Sequence, residues 1–186
     1  WHGYAQSFNG GEDHIRLRNI SDGDWTAVTV QVWMNPADGG DDRVFAKGWG
    51  TDDDDNVWQL GKDADIKVRH RTNNSARTYG GGETWTFGDW YLFAYTWDAD
   101  DGGAIKCYQN GAVKITDSQT GSDLHDDSHR PIIGNVIGEL NRGFNGLLQE
   151  ARLSYVARSE AWMETEYINV ADPDTFYTVA AEEIVP

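Results

Sequence analysis

The stretch Trp90-Tyr-Leu-Phe-Ala-Tyr-Thr-Trp-Asp98, continued by Ala-Asp-Asp-Gly-Gly103, Ala104-Ile-Lys-Cys-Tyr-Gln109 and Asn110-Gly111, decides the fold class. Phe93, Tyr95 and Trp97 recur at every second residue, the period of a strand with a buried face. The Asp- and Gly-rich segment 98–103 reads as a hairpin loop. Asn110-Gly111 reads as a type I′ turn, because both central residues of that turn need positive φ. Three antiparallel strands follow, over 90–97, 104–109 and 112–116. Outward from them, 27–34, 43–47, 57–60 and 65–72 repeat the pattern, each bounded by Gly, Asp or Asn, and Val28, Val30 and Val32 keep the same period. So many short strands predict an all-β, two-sheet antiparallel sandwich, with Val28, Val30, Val32, Phe93, Tyr95 and Trp97 pointing between the sheets. A single helix of more than two turns is expected after Ser159, an N-cap residue, ending before Asp172-Pro173. Ala161, Trp162, Thr165, Tyr167 and Ile168 are spaced for its buried face, and Trp162 is expected to dock on the sandwich.

The chain has 186 residues, the size of a single domain over 1–186, and no repeat, Pro-rich linker or low-complexity tract divides it. Its 15 Lys and Arg stand against 31 Asp and Glu, a formal charge of −16, which argues against a nucleic-acid partner because phosphates need the opposite field. Cys107 is the single cysteine, so the chain forms no disulfide within itself, and its strand position assigns it to the core. No run approaches the ~18 apolar residues of a membrane span. A chain beginning at Trp1 is expected to be a processed product or an excised fragment.

In order and spacing, several segments resemble the bacterial laminin G-like domains of the concanavalin A-like lectin/glucanase superfamily. They are Ser7-Phe-Asn-Gly10 with Asp13-His-Ile15, the strand from Trp25 to Trp33, the strand from Trp90 to Asp98, and Cys107-Tyr-Gln-Asn-Gly111. The last and most specific is Phe144-Asn-Gly-Leu-Leu-Gln-Glu-Ala-Arg-Leu-Ser154 with Ala157-Arg-Ser159 and Trp162. The resemblance spans nearly the whole chain and implies a jelly roll. In many relatives it also implies a structural calcium near the first strand, for which Asn9, Glu12, Asp13 and Glu150 offer oxygens. Gln149 stands where the family has an Asp, however, and a neutral oxygen is a weaker ligand for a hard cation.

Sandwiches of this kind include glycosidases, which need two carboxyl groups at a set separation. Their Glu-x-Asp-x-x-Glu string does not occur, and Glu150 alone cannot perform both roles. Gly-x-Ser-x-Gly and His-Glu-x-x-His are also missing, so no catalytic residue is assigned. His125 and His129 lie in a polar loop, where a solvated role outweighs a transition-metal site. Asp52, Asp54 and Asn56 alternate as in an EF-hand, but Val57 replaces its obligatory Gly, so at most a looser calcium loop remains.

The basic cluster carries more information. Lys62, Lys67, Arg69, Arg71 and Arg77 place a third of all positive charges within sixteen residues. In 66–71, alternation sends Ile66, Val68 and His70 to one face and Lys67, Arg69 and Arg71 to the other. Such a row either balances acidic neighbours or faces an anionic glycan, with Trp49, Trp58 or Trp85 at the rim to stack on a sugar. Leu92, Ala94 and Thr96 are expected to border a shallow space beside it. With the resemblance, these features predict a non-catalytic carbohydrate-binding or adhesion module of an extracellular or surface protein, whether on a cell or a virion. A structural or assembly domain contacting other protein subunits is the alternative, and a polysaccharide-degrading enzyme comes third.

Overall fold

The computed structural model describes residues 4–48, 56–81, 84–136, 138 and 142–176. The elements are β1 (Gln6–Asn9), β2 (Ile15–Arg16), β3 (Ala27–Pro36), β4 (Asp42–Gly48), β5 (Asn56–Lys62), β6 (Ile66–Arg71), β7 (Ala76–Gly81), β8 (Tyr91–Asp98), β9 (Ala104–Gln109), β10 (Ala112–Ser118), β11 (Ile132–Ile133), β12 (Asn145–Ser154), α1 (Glu160–Ala171) and α2 (Pro173–Phe176). Sheet A runs β1-β12-β3-β8-β9-β10 and sheet B runs β2-β11-β4-β5-β6-β7. All strand pairs within the two sheets are antiparallel. The expected sandwich is therefore present.

Period two aligns the core. Val28, Val30 and Val32 pair with Trp97, Tyr95 and Phe93 across β3 and β8. They share one buried cluster with Phe45, Trp58, Leu60, Ile66 and Val68 of sheet B. Cys107, opposite Tyr95, lies in the same layer, where burial pushes its thiol up to about 12 with a smaller contribution from Asp117. The turn between β9 and β10 has Asn110 at φ 55 and Gly111 at φ 78, the two left-handed residues its sequence requires. A Cβ on Gly111 would come within 2.9 Å of the Glu164 backbone, because α1 packs directly on this turn.

The helix begins at the expected cap, Ser159 Oγ accepting from Trp162 N at 3.3 Å. Its buried face differs from the sequence reading. Met163 is buried with Ala94 and Tyr108, and Tyr167 stacks on Trp33 with ring centroids 5.7 Å apart, while Ala161 and Thr165 are exposed. The helix touches sheet A along a line narrower than its spacing suggested. Trp162 is half-buried against the same patch, beneath the Arg158 guanidinium. Substituting Ser159→Ala leaves one helix N–H without its acceptor, so a urea-unfolding loss of about 1 kcal/mol is expected. A loss below about 0.3 kcal/mol would mean that packing alone anchors α1.

α1 also corrects the expected groove. Leu92, Ala94 and Thr96 are buried on the outer face of sheet A, on the side that α1 covers, whereas β6 belongs to sheet B. Parity along a strand assigns a face but not a sheet, so these residues and the basic row lie on opposite sides of the sandwich. Among the described residues, no helix is long and apolar enough to cross a membrane.

Candidate functional site

Along β6, Ile66, Val68 and His70 are buried and the intervening Lys67, Arg69 and Arg71 are half-buried, which places the basic row on the outer face of sheet B. The ladder extends this face sideways. Lys67 lies opposite Gly61 and Gly80, and Gly61 lies opposite Arg43 of β4. Arg69 lies opposite Gln59, which lies opposite Ala46. Arg43 and Lys67 therefore project from the same face, two strand spacings or roughly 9.5 Å apart at the backbone. Only the hydrogen of Gly61 stands between them. A Cβ at Gly61 would lie 3.5 Å from Arg43 Cδ and 3.1 Å from the Asp42 carbonyl, so the arginine stem occupies the space a side chain would take.

These side chains converge on one carboxylate. Asp41 Oδ1 accepts from Arg43 Nη1 and from Lys67 Nζ, the latter at 2.9 Å, and Oδ2 accepts from Arg142 Nη1 at 3.0 Å. Burial by itself would raise the Asp41 pKa. The hydrogen bonds and charges of Arg43 and Lys67 outweigh it and hold the carboxyl at about 2. Three cations thus share a single acid on a chain of formal charge −16. Lys67, Asp41 and Arg142 have side chains 22%, 25% and 36% exposed.

Arg43 itself is fully buried. Its Nη1 also donates to the Asp42 carbonyl at 3.3 Å, whereas Nε and Nη2 have no hydrogen-bond partner.

Lys62, next to this cluster, has a different character. Its Nζ is buried and lies 2.7 Å from Asp42 Oδ2, 2.8 Å from the Asp38 carbonyl, 3.1 Å from the Gly40 carbonyl and 3.4 Å from Asp38 Oδ1. An ammonium has three donors, so Lys62 is saturated and clamps the turn between β3 and β4. Asp38 and Asp42 form a two-carboxylate arrangement around it. Burial pushes the Asp42 carboxyl up despite Lys62, while hydrogen bonds from Gly40 and Asn145 and the charge of Lys62 overcome Asp38's slight burial and lower it. Asp38 also accepts from Gly40 N through Oδ1 and from Asn145 Nδ2 through Oδ2.

The tryptophans named from sequence are core residues where they are described. Trp58 has no exposure and donates from Nε1 to Asp22 Oδ2 at 3.1 Å. Trp85 is 6% exposed, donates to the Asp65 carbonyl at 3.0 Å and packs on Tyr91 and Phe93. Trp49 and Asp52 to Asp55 lie outside the described residues. An aromatic that sequence reasoning passed over, Phe87, is 54% exposed and stands against Gly39 of the turn that carries Asp41.

The oxygens named for calcium do not form one set. Asn9 pairs with Asn145 and Gln6 with Leu148, so Glu150 lies beyond the far end of β1 from Asn9, at least about 10 Å away along the ladder. Asn9 Oδ1 accepts from Gly11 N at 2.8 Å. Glu150 sits in a β12 bulge at φ 51, and its carboxylate, 51% exposed, accepts from Arg152 at 2.8 Å. Glu12 and Asp13 are exposed beyond β1. His129 Nδ1 lies 2.7 Å from Asp127 Oδ1, and among the described residues no three His, Cys, Asp or Glu gather as a metal cluster.

Comparison with known proteins agrees with this architecture. A family model described as the concanavalin A-like lectin/glucanases superfamily matches residues 9–163. No curated protein matches the sequence. Among solved structures, the heptameric SAP-like pentraxin of Limulus polyphemus superposes with a TM-score of 0.67 at 19% identity, over 87% of this chain and 80% of that one. Domain 4 of the extracellular arabinanase AbnA of Geobacillus stearothermophilus, in complex with arabinotriose, gives 0.65 at 20% identity over 88% and 76%. The CBM40 domain of the Ruminococcus gnavus IT-sialidase, bound to α2,3 sialyllactose, gives 0.64 at 12% identity over 84% and 99%. Several further similar structures are longer, and this chain spans less than half of each. At these identities the likeness is one of fold.

Proposed function

We propose that this chain, which belongs to the concanavalin A-like lectin/glucanases superfamily, is a non-catalytic carbohydrate-binding module of an extracellular or surface-exposed protein. Its ligand is an acidic polysaccharide laid across the outer face of sheet B. The observation that carries this reading is the basic character of that face: Arg43, Lys67 and Arg142 converge on one acid, Asp41, and Arg69 and Arg71 continue the row along β6, on a strongly acidic chain. A local positive face attracts anionic polymers, and guanidinium groups pair with carboxylate or sulfate through two parallel hydrogen bonds. The arabinotriose and sialyllactose complexes of two similar folds support a sugar as the ligand class. Phe87, exposed beside the turn of Asp41, offers a surface for a pyranose to stack on. A non-catalytic role is supported by the engagement of Asp38 and Asp42 with the same buried Lys62 ammonium, which holds both carboxyls in a structural clamp.

Binding to alginate, pectin, carrageenan and a neutral glucan tests the reading. Wild type is expected to retain the acidic polymers and not the glucan, more weakly as salt rises, because charge interactions are screened. The double variant Arg69→Ala, Arg71→Ala is expected to bind about tenfold more weakly, roughly 1.4 kcal/mol. Equal, salt-insensitive behaviour of the two proteins would favour a structural or assembly domain instead.

A further inference from the structure

We infer that Arg43 is a receptor for a sugar-borne oxyanion, a uronate carboxylate or a sulfate ester, gripped through the side-on edge of its guanidinium. The inference rests on the glycan-binding reading of this face and names the group on the sugar that is recognised. Arg43 has five N–H donors. Nη1 is committed to Asp41 Oδ1 and the Asp42 carbonyl, which fixes the plane of the guanidinium. Nε and Nη2 lie together on the opposite edge, and these are the atoms with no partner. Their hydrogens run parallel, the arrangement that matches two oxygens of one carboxylate or sulfate.

The burial of this edge makes its open valence informative. A buried donor without an acceptor is destabilising, more so when charged, so native structures seldom keep one unless a ligand or water completes it. Asp41 does not complete it: Oδ1 accepts from Arg43 Nη1 and Lys67, and Oδ2 from Arg142, with neither oxygen on the Nε–Nη2 edge. At the hub Arg43, Lys67 and Arg142 all pair with the one Asp41 carboxylate, so an arriving anion meets cationic donors. Access runs past the partly exposed Lys67, Asp41 and Arg142, because Arg43 itself is fully buried and its stem fills the space above Gly61. Lys67 then contributes charge at the mouth, and Arg43 supplies directional hydrogen bonds at the base.

The test follows the Arg43 Nε–H resonance of the whole 15N-labelled chain, assigned through its bonds to the backbone, during titration with galacturonate, galactose 6-sulfate and galactose. Saturable movement is expected with one or both acidic sugars and none with galactose, and the more effective acid identifies the oxyanion. Arg43→Lys keeps the charge but lacks the side-on edge, and a loss of tenfold or more in affinity for the acidic sugar is expected. If that variant does not fold, Lys67→Gln, altered at a partly exposed side chain, is expected to weaken binding a few-fold and to leave the Arg43 resonance movable at higher concentration. An Arg43 resonance that stays still while other signals saturate, that responds equally to galactose, or that never moves with any of the three would overturn the inference. Retention of acidic polysaccharides with a still Arg43 resonance would overturn it while leaving the glycan-binding reading intact. Movement with the acidic sugars but no polysaccharide retention would uphold the oxyanion site and sink that reading.

Discussion

Replacing Asp22 with alanine is expected to destabilise the protein by about 3–5 kcal/mol, the cost typical of removing one partner of a buried ion pair. Asp22 and Lys47 are both without solvent exposure. Lys47 Nζ donates to Asp22 Oδ1 and, at 3.1 Å, to the Ile20 carbonyl, and Trp58 Nε1 donates to Asp22 Oδ2 at 3.1 Å. One carboxylate therefore holds a lysine of β4, a tryptophan of β5 and the segment before β3. Burial pushes its pKa up even though Lys47 and Trp58 pull it down, so desolvation is the largest influence on it. In Asp22→Ala the ammonium remains buried with a single carbonyl acceptor and the indole N–H loses its own. The double variant Asp22→Leu, Lys47→Met removes both charges and keeps most of the volume, and such replacements are commonly neutral or stabilising. Urea denaturation of wild type, the singles and the double closes a thermodynamic cycle. A large penalty for Asp22→Ala that the double variant relieves is the expected pattern. A penalty below about 1 kcal/mol would show that Lys47 finds solvent or sheds its proton at little cost.

The strands were legible because period-two apolar residues and Gly, Asp or Asn turns are local signals, and β3, β8 and β9 fall within two residues of the segments read from sequence. β7 escaped, since Ala76-Arg-Thr-Tyr-Gly-Gly81 turns only Tyr79 fully inward and reads as a loop at the sheet edge. Two-residue β11 is too short to carry a period. Of the candidate site, the outward row on β6 was legible from alternation. Its partners were not. Asp41, Arg43 and Arg142 meet Lys67 only through the register β4-β5-β6 and the chain leading into β12, and no spacing in one dimension reports that. Lys47 and Lys62 escaped for a related reason, because lysine in a strand reads as solvent-facing, yet each is buried against a carboxylate far away in sequence. Trp58 failed as a rim residue on the same ground, its indole being held inward by Asp22.

Acid is expected to weaken the fold well above the range in which ordinary carboxylates titrate, and His70 is the reason. The ring is fully buried, 4.8 Å from the Trp97 ring and 5.8 Å from that of Tyr95, with Nδ1 3.3 Å from the Tyr95 hydroxyl and Nε2 without a partner. Across the strand pair it faces Trp58, so neighbours on β5 and β8 supply no carboxylate to stabilise an imidazolium. Burial holds its pKa at about 3, against 6.5 in the unfolded chain. The sign follows from the depressed value. Above pH 6.5 both states are neutral at this residue and its contribution is fully present. Below 6.5 the unfolded chain binds a proton that the native state refuses, so stability falls by up to about 1.4 kcal/mol per pH unit until about pH 3. The loss between pH 7.5 and pH 5 is then about 2 kcal/mol. His125, also lowered by burial but only partly, adds a smaller loss in the same direction. Asp22 and Asp42, whose carboxyls burial raises, bind protons more readily in the native state and work the other way. Asp41, at about 2, loses its contribution only below the ordinary carboxylate range near 3.8. Comparison with His70→Leu isolates the histidine from all of these, since they are common to both proteins. Urea midpoints measured from pH 7.5 to 4.5 at constant ionic strength should fall steeply for wild type and stay nearly level for the variant. Parallel slopes would mean that His70 accepts its proton without unfolding the chain, through an opening near Tyr95 and Trp97 that admits water to the ring.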